Sequence, residues 1–415
     1  MIEVGRRPPL IAALFAATEA LSPDQALAAI APHLTSLGIT RVGDLTGLDV
    51  IGIPVFFACR PNSRSLSVCQ GKALRPELAR LGAIMECAEQ ALAERCDSLV
   101  VTRGTTAEMK SRALQCLDIN SMYRGNSAFA DDGRQLAWVK GFSAVTGNEI
   151  LVPYELAGLD FRTNVGWDTR NFKMCSIGLA AAFSPAEAAL HALLELIEYD
   201  ATAPVDLFGL RPGFARPLTY CTGLHAGLDD AVTMVEKAGL KCFFVSVTSR
   251  AQMPVIGAFV RPDVASPDML GGRVFAGFAC RFSPEEAAFA ALLEAVQSRL
   301  TQISGARDDI VPGQYVPAER LLSQMRGDAV SLDCIPRHPA ADTSLTAGEK
   351  LRRVIETILK AGISDVFFVS LGGEDLGISV IRALSPSLQA HAGEGATRLG
   401  MHLFHGLLAK ARLSQ

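Results

Sequence analysis

Three stretches of this chain open alike and then carry acids at matching positions, which restricts the fold more than any other feature. RPELARLGAIMECAEQALAER from Arg75, SPAEAALHALLELIEYDATA from Ser184 and SPEEAAFAALLEAVQSRLTQ from Ser283 share helical periodicity, each with a proline followed within two positions by an acidic residue. That is helix-start chemistry: proline's missing N–H costs nothing in the first turn, and carboxylates face the positive end of the dipole. Ser184 and Ser283 are natural N-caps. Counted from Pro76, Pro185 and Pro284, a glutamate stands at plus ten each time (Glu86, Glu195, Glu294), and plus thirteen holds Glu89, Glu198 and Gln297. Offsets kept three times over such a span mark the helices as copies of one unit.

A second repeat consists of a helix, a glycine turn and two strands ending near an arginine. SLGITRVGDLTGLDVIGIPVFFACRP places Gly38 twenty-two residues before Arg60, and KAGLKCFFVSVTSRAQMPVIGAFVRP places Gly239 twenty-two before Arg261. KAGISDVFFVSLGGEDLGISVIRALSP places Gly362 twenty before Arg382. Glycine supplies the left-handed helix end, and VFFV-type runs are strand-like. The expected fold is therefore α/β (α+β mixed), with mixed sheets, pseudo-threefold helix-hairpin repeats and three acidic helices converging. A further hairpin is expected at KGFSAVTGNEILVPYEL, with Gly147 and Asn148 between the strands. Residues 1–36 read as a helical lead-in capped by Ser22-Pro23-Asp24, and 37–415 as a single domain, with surface loops at Ala215 to Thr222 and Ile335 to Thr346.

Positions i and i+3 of a helix project from one face, so Glu86 with Glu89 and Glu195 with Glu198 each present two carboxylates together. Their neighbours, LHALLELI and AALLEAV, are apolar on nearly every side. Clustered buried carboxylates repel one another, and something cationic must answer them. Magnesium takes hard oxygen ligands and substrate phosphates together, so three convergent acidic faces read as a Mg-nucleotide site; a structural ion-pair network is the competing explanation. SLSVCQGKALRPE adds Ser67, Gly71 and Lys72 just ahead of the first acidic helix, where backbone N–H groups and a lysine can approach phosphate or simply form a turn. QSRLTQISGARDD offers Arg299 and Arg307 as charge partners, with Asp308 and Asp309 beyond.

Composition narrows the partners. A net charge of -4 with interspersed signs advertises no nucleic acid, and no run approaches the roughly 20 apolar residues of a membrane span. Ten cysteines without a CxxC pair read as free thiols of a cytoplasmic protein. GxSxG, HExxH and GxGxxG are all absent, and His402 with His405 is too sparse for a metal site.

GKALRPELARLGAIMECAEQ resembles the first acidic helix of the YcaO-domain family. LHALLELIEYDA is similar to the second, where the family usually reads ELIERDA, and LLEAVQSRLTQISGARDD resembles the third. With RVGDLTGLDVIGIPVFFACRPNSRSLSVCQGK the resemblance spans roughly residues 35 to 390, and it looks closest to the TfuA-associated, thioamide-forming branch. The family's frequent arginines are replaced here by Gln90, Tyr199 and Ala290, and its SNG by Ser176-Ile177-Gly178.

The resemblance implies ATP- and Mg2+-dependent activation of a peptide-backbone amide by O-phosphorylation, followed by addition of a nucleophile. It implies that Glu86, Glu89, Glu195 and Glu198 bind Mg-ATP, with Glu294 and Gln297 completing a third wall; Ser67, Lys72, Ser176, Arg299 and Arg307 complete the expected nucleotide site. The expected partners are a precursor peptide, a TfuA-like protein and a second copy of the chain. Azoline or amidine formation or another ATP-driven backbone reaction, and a non-catalytic subunit that binds the precursor or a catalytic paralogue, are the alternatives. HLFHGLLAKARLSQ lacks the proline-rich tail typical of azoline-forming members.

Overall fold

The computed structural model describes residues 10–16, 21–122, 133–163, 165–168, 171–262, 273–305, 307, 308 and 327–390. Asp309, His402 and His405 lie outside them. The strands are β1 (Arg41–Asp44), β2 (Val55–Cys59), β3 (Val68–Lys72), β4 (Val100–Gly104), β5 (Leu136–Ser143), β6 (Glu149–Pro153), β7 (Leu179–Ala182), β8 (Ala215–Thr219), β9 (Leu240–Val247), β10 (Val255–Pro262), β11 (Phe275–Cys280), β12 (Val330–Ser331), β13 (Phe367–Ser370) and β14 (Ser379–Leu384). The longer helices are α1 (Pro23–Ile30), α2 (Pro76–Ala93), α3 (Pro185–Phe208), α4 (Ala226–Lys237), α5 (Pro284–Ser304) and α6 (Ala347–Lys360).

Each glycine-led repeat is an antiparallel hairpin: β1 with β2, β9 with β10, and β13 with β14. Gly38, Gly239 and Gly362 enter them with φ of 75°, 74° and 82°, where a Cβ is unfavourable. A third strand joins each hairpin and leads into an acidic helix. β3 pairs with β2 ahead of α2, and β11 pairs with β10 ahead of α5. The remaining unit is assembled out of order, because β14 pairs with β7, which precedes α3 in the chain. Its sheet continues as β4-β5-β13-β14-β7, with β6 on β5 forming the expected hairpin around Gly147.

The helix starts follow their sequence. Ser184 accepts a bond from the Glu187 N–H and Ser283 from the Glu286 N–H, while α2 relies on Pro76 without a side-chain cap. Each acidic helix buries its apolar face in its own core: Ile84, Cys87 and Leu92 of α2, Leu193, Leu196 and Ile197 of α3, and Ala291, Leu292 and Val296 of α5. At roughly 1.5–3 kcal/mol for each large buried side chain, this packing fixes the helices' rotation, and the glutamates are left facing one another. α1, capped by Ser22, adds Leu27 and Ile30 to the first core.

Two expectations are corrected. Ala215–Thr219 is strand β8, not a surface loop; Pro217 is tolerated because its second neighbour, β12, pairs only with Leu218 and Thr219. Ser67 to Lys72 is no phosphate-cradling turn but leads into and forms β3, whose Gly71 lies against the α2 backbone. No helix among the described residues is long and apolar enough to cross a membrane.

Candidate active site

Helices α2, α3 and α5 present their plus-ten and plus-thirteen residues to a single cavity of about 660 Å3, lined by Glu86, Glu89, Glu195, Glu198, Glu294 and Gln297. Backbone N–H groups within or beside the strands aim the carboxylates. Gln70 N–H donates to Glu86 Oε2 at 3.2 Å, Gly178 N–H to Glu195 Oε2 at 3.2 Å, and Cys280 N–H to Glu198 Oε2 at 3.0 Å. The strand that precedes each acidic helix, or its edge, therefore supplies a fixed donor that orients an acid.

The glutamates are half-buried by area, yet what they expose is the cavity wall and not the outer surface. Burial raises the pKa of Glu86 against the opposing pull of Arg307 and Lys72. Glu89 is held well above the usual carboxylate range by burial and then by Glu195 and Glu86. Glu195 is pushed up to about 8, chiefly by burial, with Arg382 opposing. Burial and Glu294 raise Glu198 well above its ordinary value. Such values describe carboxylates that have orienting hydrogen bonds but too little internal positive charge.

Cations stand around them. Lys72 Nζ lies 3.8 Å from Glu294, and Arg281 and Arg307 also line the cavity. The third wall is polar and incompletely satisfied. Gln297 Nε2 donates to the Gln70 carbonyl at 3.2 Å, Thr301 Oγ1 bonds Gln70 Oε1, and the buried Gln297 Oε1 has no hydrogen-bond partner among the described residues. No group of three or more histidine, cysteine, aspartate or glutamate side chains among the described residues makes a compact metal cage. Hard oxygens set round an open space suit a cation that completes its shell with water and ligand oxygens.

Of the residues expected here, Ser176 and Lys72 join the six helix residues and Arg307 at the cavity, whereas Ser67 and Arg299 do not line it. Ser67 precedes β3, and its hydroxyl bonds Asp308 at 2.7 Å. Arg299 is buried in an ion pair with Asp49 at 2.9 Å and packs over Phe275. It ties the back of α5 to the loop after β1. Gln90 and Tyr199, at the positions of absent family arginines, line the cavity as neutral groups. Sequence reasoning missed His191 and Arg281. His191 had a signal, since it lies four residues before Glu195 on the same helix face. Arg281 sits outside the repeated offsets and carried none.

Comparison with known proteins matches this architecture. The sequence model of one family, described as "YcaO cyclodehydratase, ATP- and Mg2+-binding", matches residues 70–389. A protein encoded in the tfuA 3' region of Rhizobium leguminosarum bv. trifolii is 34% identical over 395 residues, covering 92% of this chain and 91% of its own. Among solved structures, YcaO from Methanopyrus kandleri bound with AMPPCP and Mg2+ superposes with a TM-score of 0.69 at 22% identity, covering 90% of this chain and 93% of that one. A heterocyclase in complex with substrate and cofactor gives 0.70 at 14% identity, over 93% of this chain and 56% of that one. With the repeated acidic helices, their common cavity and a match over most of its length, the chain belongs to the YcaO family.

Proposed function

We propose that the chain is an ATP- and Mg2+-dependent enzyme that activates a peptide-backbone amide by O-phosphorylation and exchanges its oxygen for an incoming nucleophile, most specifically sulfide, to give a thioamide. One observation carries the reading: four glutamates from two helices, all with raised pKa values, share a cavity with Glu294 and three cationic side chains. Acids in that state need a cation, and the surrounding lysine and arginines need an anion; a magnesium-bound polyphosphate answers both.

In this reading Glu86, Glu89, Glu195 and Glu198 hold the metal. Lys72, Arg307, Ser176, Glu294 and Gln297 surround the nucleotide, and Arg281 joins them. Bound magnesium would neutralise charge on the transferring phosphoryl group. The amide oxygen attacks the γ-phosphorus, ADP leaves, the nucleophile adds at carbon, and phosphate departs with the original oxygen. The protein's part is positioning and electrostatics, the usual burden in phosphoryl transfer.

The family description and the nucleotide-bound neighbour support ATP and Mg2+. The relative in the tfuA region supports the thioamide branch and a TfuA-like partner, and the substrate-bound heterocyclase supports a peptide substrate; a second copy of the chain is part of the same proposal. Gln90 and Tyr199 leave the cavity short of two family arginines, but Arg281 and Arg307 bring positive charge from other elements. That favours a catalyst over a non-catalytic subunit. Cyclodehydration is the second reading, favoured by the family's description and the heterocyclase neighbour.

Calorimetric titration with Mg-ATP tests the site: the parent should bind, and Glu86→Gln and Glu198→Gln should weaken binding at least tenfold with the fold intact. Absence of heat in a folded parent removes the nucleotide. Mass spectrometry of peptides from cells with and without the gene then separates the chemistries. Oxygen-to-sulfur exchange raises the mass, and azoline formation lowers it by one water.

A further inference from the structure

The aligned helices define layers across the cavity. At plus ten and plus thirteen all three helices supply acids or an amide, but at plus six the residues are Gly82, His191 and Ala290. Gly82 and His191 line the cavity and Ala290 packs against the third core, so the level next to the acids holds one titratable side chain, the His191 imidazole. His191 lines the cavity and is exposed to it, with no hydrogen-bond partner among the described residues. It is one helical turn from Glu195, about 6 Å along α3. In the reading drawn here, the carbon of an amide whose oxygen meets a phosphoryl group at the glutamate level lies on the His191 side of the acids.

Any nucleophile H–X that adds to the activated carbon must lose a proton as the C–X bond forms. The proposed metal engages Glu86, Glu89, Glu195 and Glu198, while Lys72 pairs with Glu294. The guanidinium groups of Arg281 and Arg307 offer donors and no acceptor. Burial and the nearby acids lift the Tyr199 phenol well above its ordinary pKa, which leaves it unable to accept a proton. The His191 ring is wetted by the cavity although protein surrounds it, and this enclosure, followed by the charge of Arg281, keeps it neutral and able to accept one.

We propose, on the basis of the ATP-dependent reading above, that His191 is the catalytic base that takes the proton from the nucleophile and delivers it to the departing phosphate. With hydrosulfide the steps balance. HS− adds to the carbon of the O-phosphorylated amide, and its S–H proton passes to the imidazole. The C=S bond forms as the C–O bond breaks, and phosphate leaves as HPO4 2− carrying that proton, which restores neutral His191. The nitrogen keeps its hydrogen, and no redox partner is required.

The test uses the full chain, Mg-ATP, sodium sulfide and the peptide whose gene-dependent mass gain identifies it. His191→Ala and His191→Asn should bind Mg-ATP within about twofold of the parent but exchange sulfur about 10²–10⁴-fold more slowly at saturating Mg-ATP. Free imidazole should restore part of the rate to His191→Ala, and pyrrole, similar in shape but without a basic nitrogen, should not. Unchanged turnover overturns the assignment. So does a loss traced wholly to Mg-ATP affinity, or equal rescue by pyrrole. A parent that gives no heat with Mg-ATP defeats the nucleotide reading itself, a result distinct from all of these.

Discussion

Glu195, with its pKa pushed up to about 8, binds its proton more tightly in the folded chain than in the unfolded one. The linkage has a definite sign: the associated stabilisation is complete below about 4.5 and is lost as pH rises through about 8. The metal-free protein should therefore melt at progressively lower temperature across that window, and Glu195→Gln should flatten the decline. A melting temperature that climbs across the window would contradict the burial of this acid. Binding of Mg-ATP near neutral pH should expel protons, read as titration heats that vary with the buffer's ionisation enthalpy; identical heats in every buffer would exclude it. Arg382 makes a second case at this scale. Wholly buried, it donates to the carbonyls of Ala157 at 3.1 Å, Cys175 at 2.7 Å and Ile177 at 2.7 Å, holding the strap that carries Ser176 and Gly178. Arg382→Ala strands three carbonyls and should cost at least about 3 kcal/mol in denaturant unfolding. Residues were legible where they repeated: the six plus-ten and plus-thirteen positions all reach the cavity. Arg299 misled because it is five residues past Glu294, roughly 140° round the helix, and points into the fold.

The helices and hairpins were readable because each carries its own local chemistry: a proline start, a serine cap, a left-handed glycine. What local chemistry does not encode is how closely a strand and its helix approach. A Cβ on Gly71 would overlap the backbone of Ala79 and Ala83, and one on Gly277 would overlap Ala291, Ala295 and the Cβ of Glu294. Backbone cannot step aside as a flexible side chain can, so the helix itself must shift. Gly277→Ala should displace α5 at the very turn that carries Glu294, and Gly71→Ala should displace α2 a turn before Glu86. Both variants should lose Mg-ATP binding in calorimetry by more than tenfold, with a clearly lowered melting temperature. Gly47→Ala, where a Cβ meets nothing within 4 Å, serves as the control and should behave as the parent. Strand β8 escaped notice for the converse reason: Pro217 reads locally as a breaker, and only its place beside β9 makes it a strand.

At the scale of the whole molecule the repeats are not three beads in sequence. The hairpin that completes the middle acidic helix's sheet arrives from the C-terminal part of the chain, with Val380 paired to Ala181 and Ile381 to Ala180. Periodicity revealed the three units, but it carries no information on which hairpin docks on which helix. Consequently β14 is a central strand between β13 and β7, and not a dispensable edge. Pairing across such a sequence separation costs loop-closure entropy before any contact returns it, which puts this sheet among the slow steps of folding. Ending the chain after Lys360 would leave β7 and β5 without a partner between them and would remove Arg382 from beneath the Ser176 strap. Such a truncation should lose the cooperative thermal transition altogether, instead of giving a folded protein that merely lacks activity. A sharp melt with Mg-ATP binding retained would show that the first and third acidic units stand without the second, and would break the link drawn here between the closing of this sheet and the assembly of the acidic cavity.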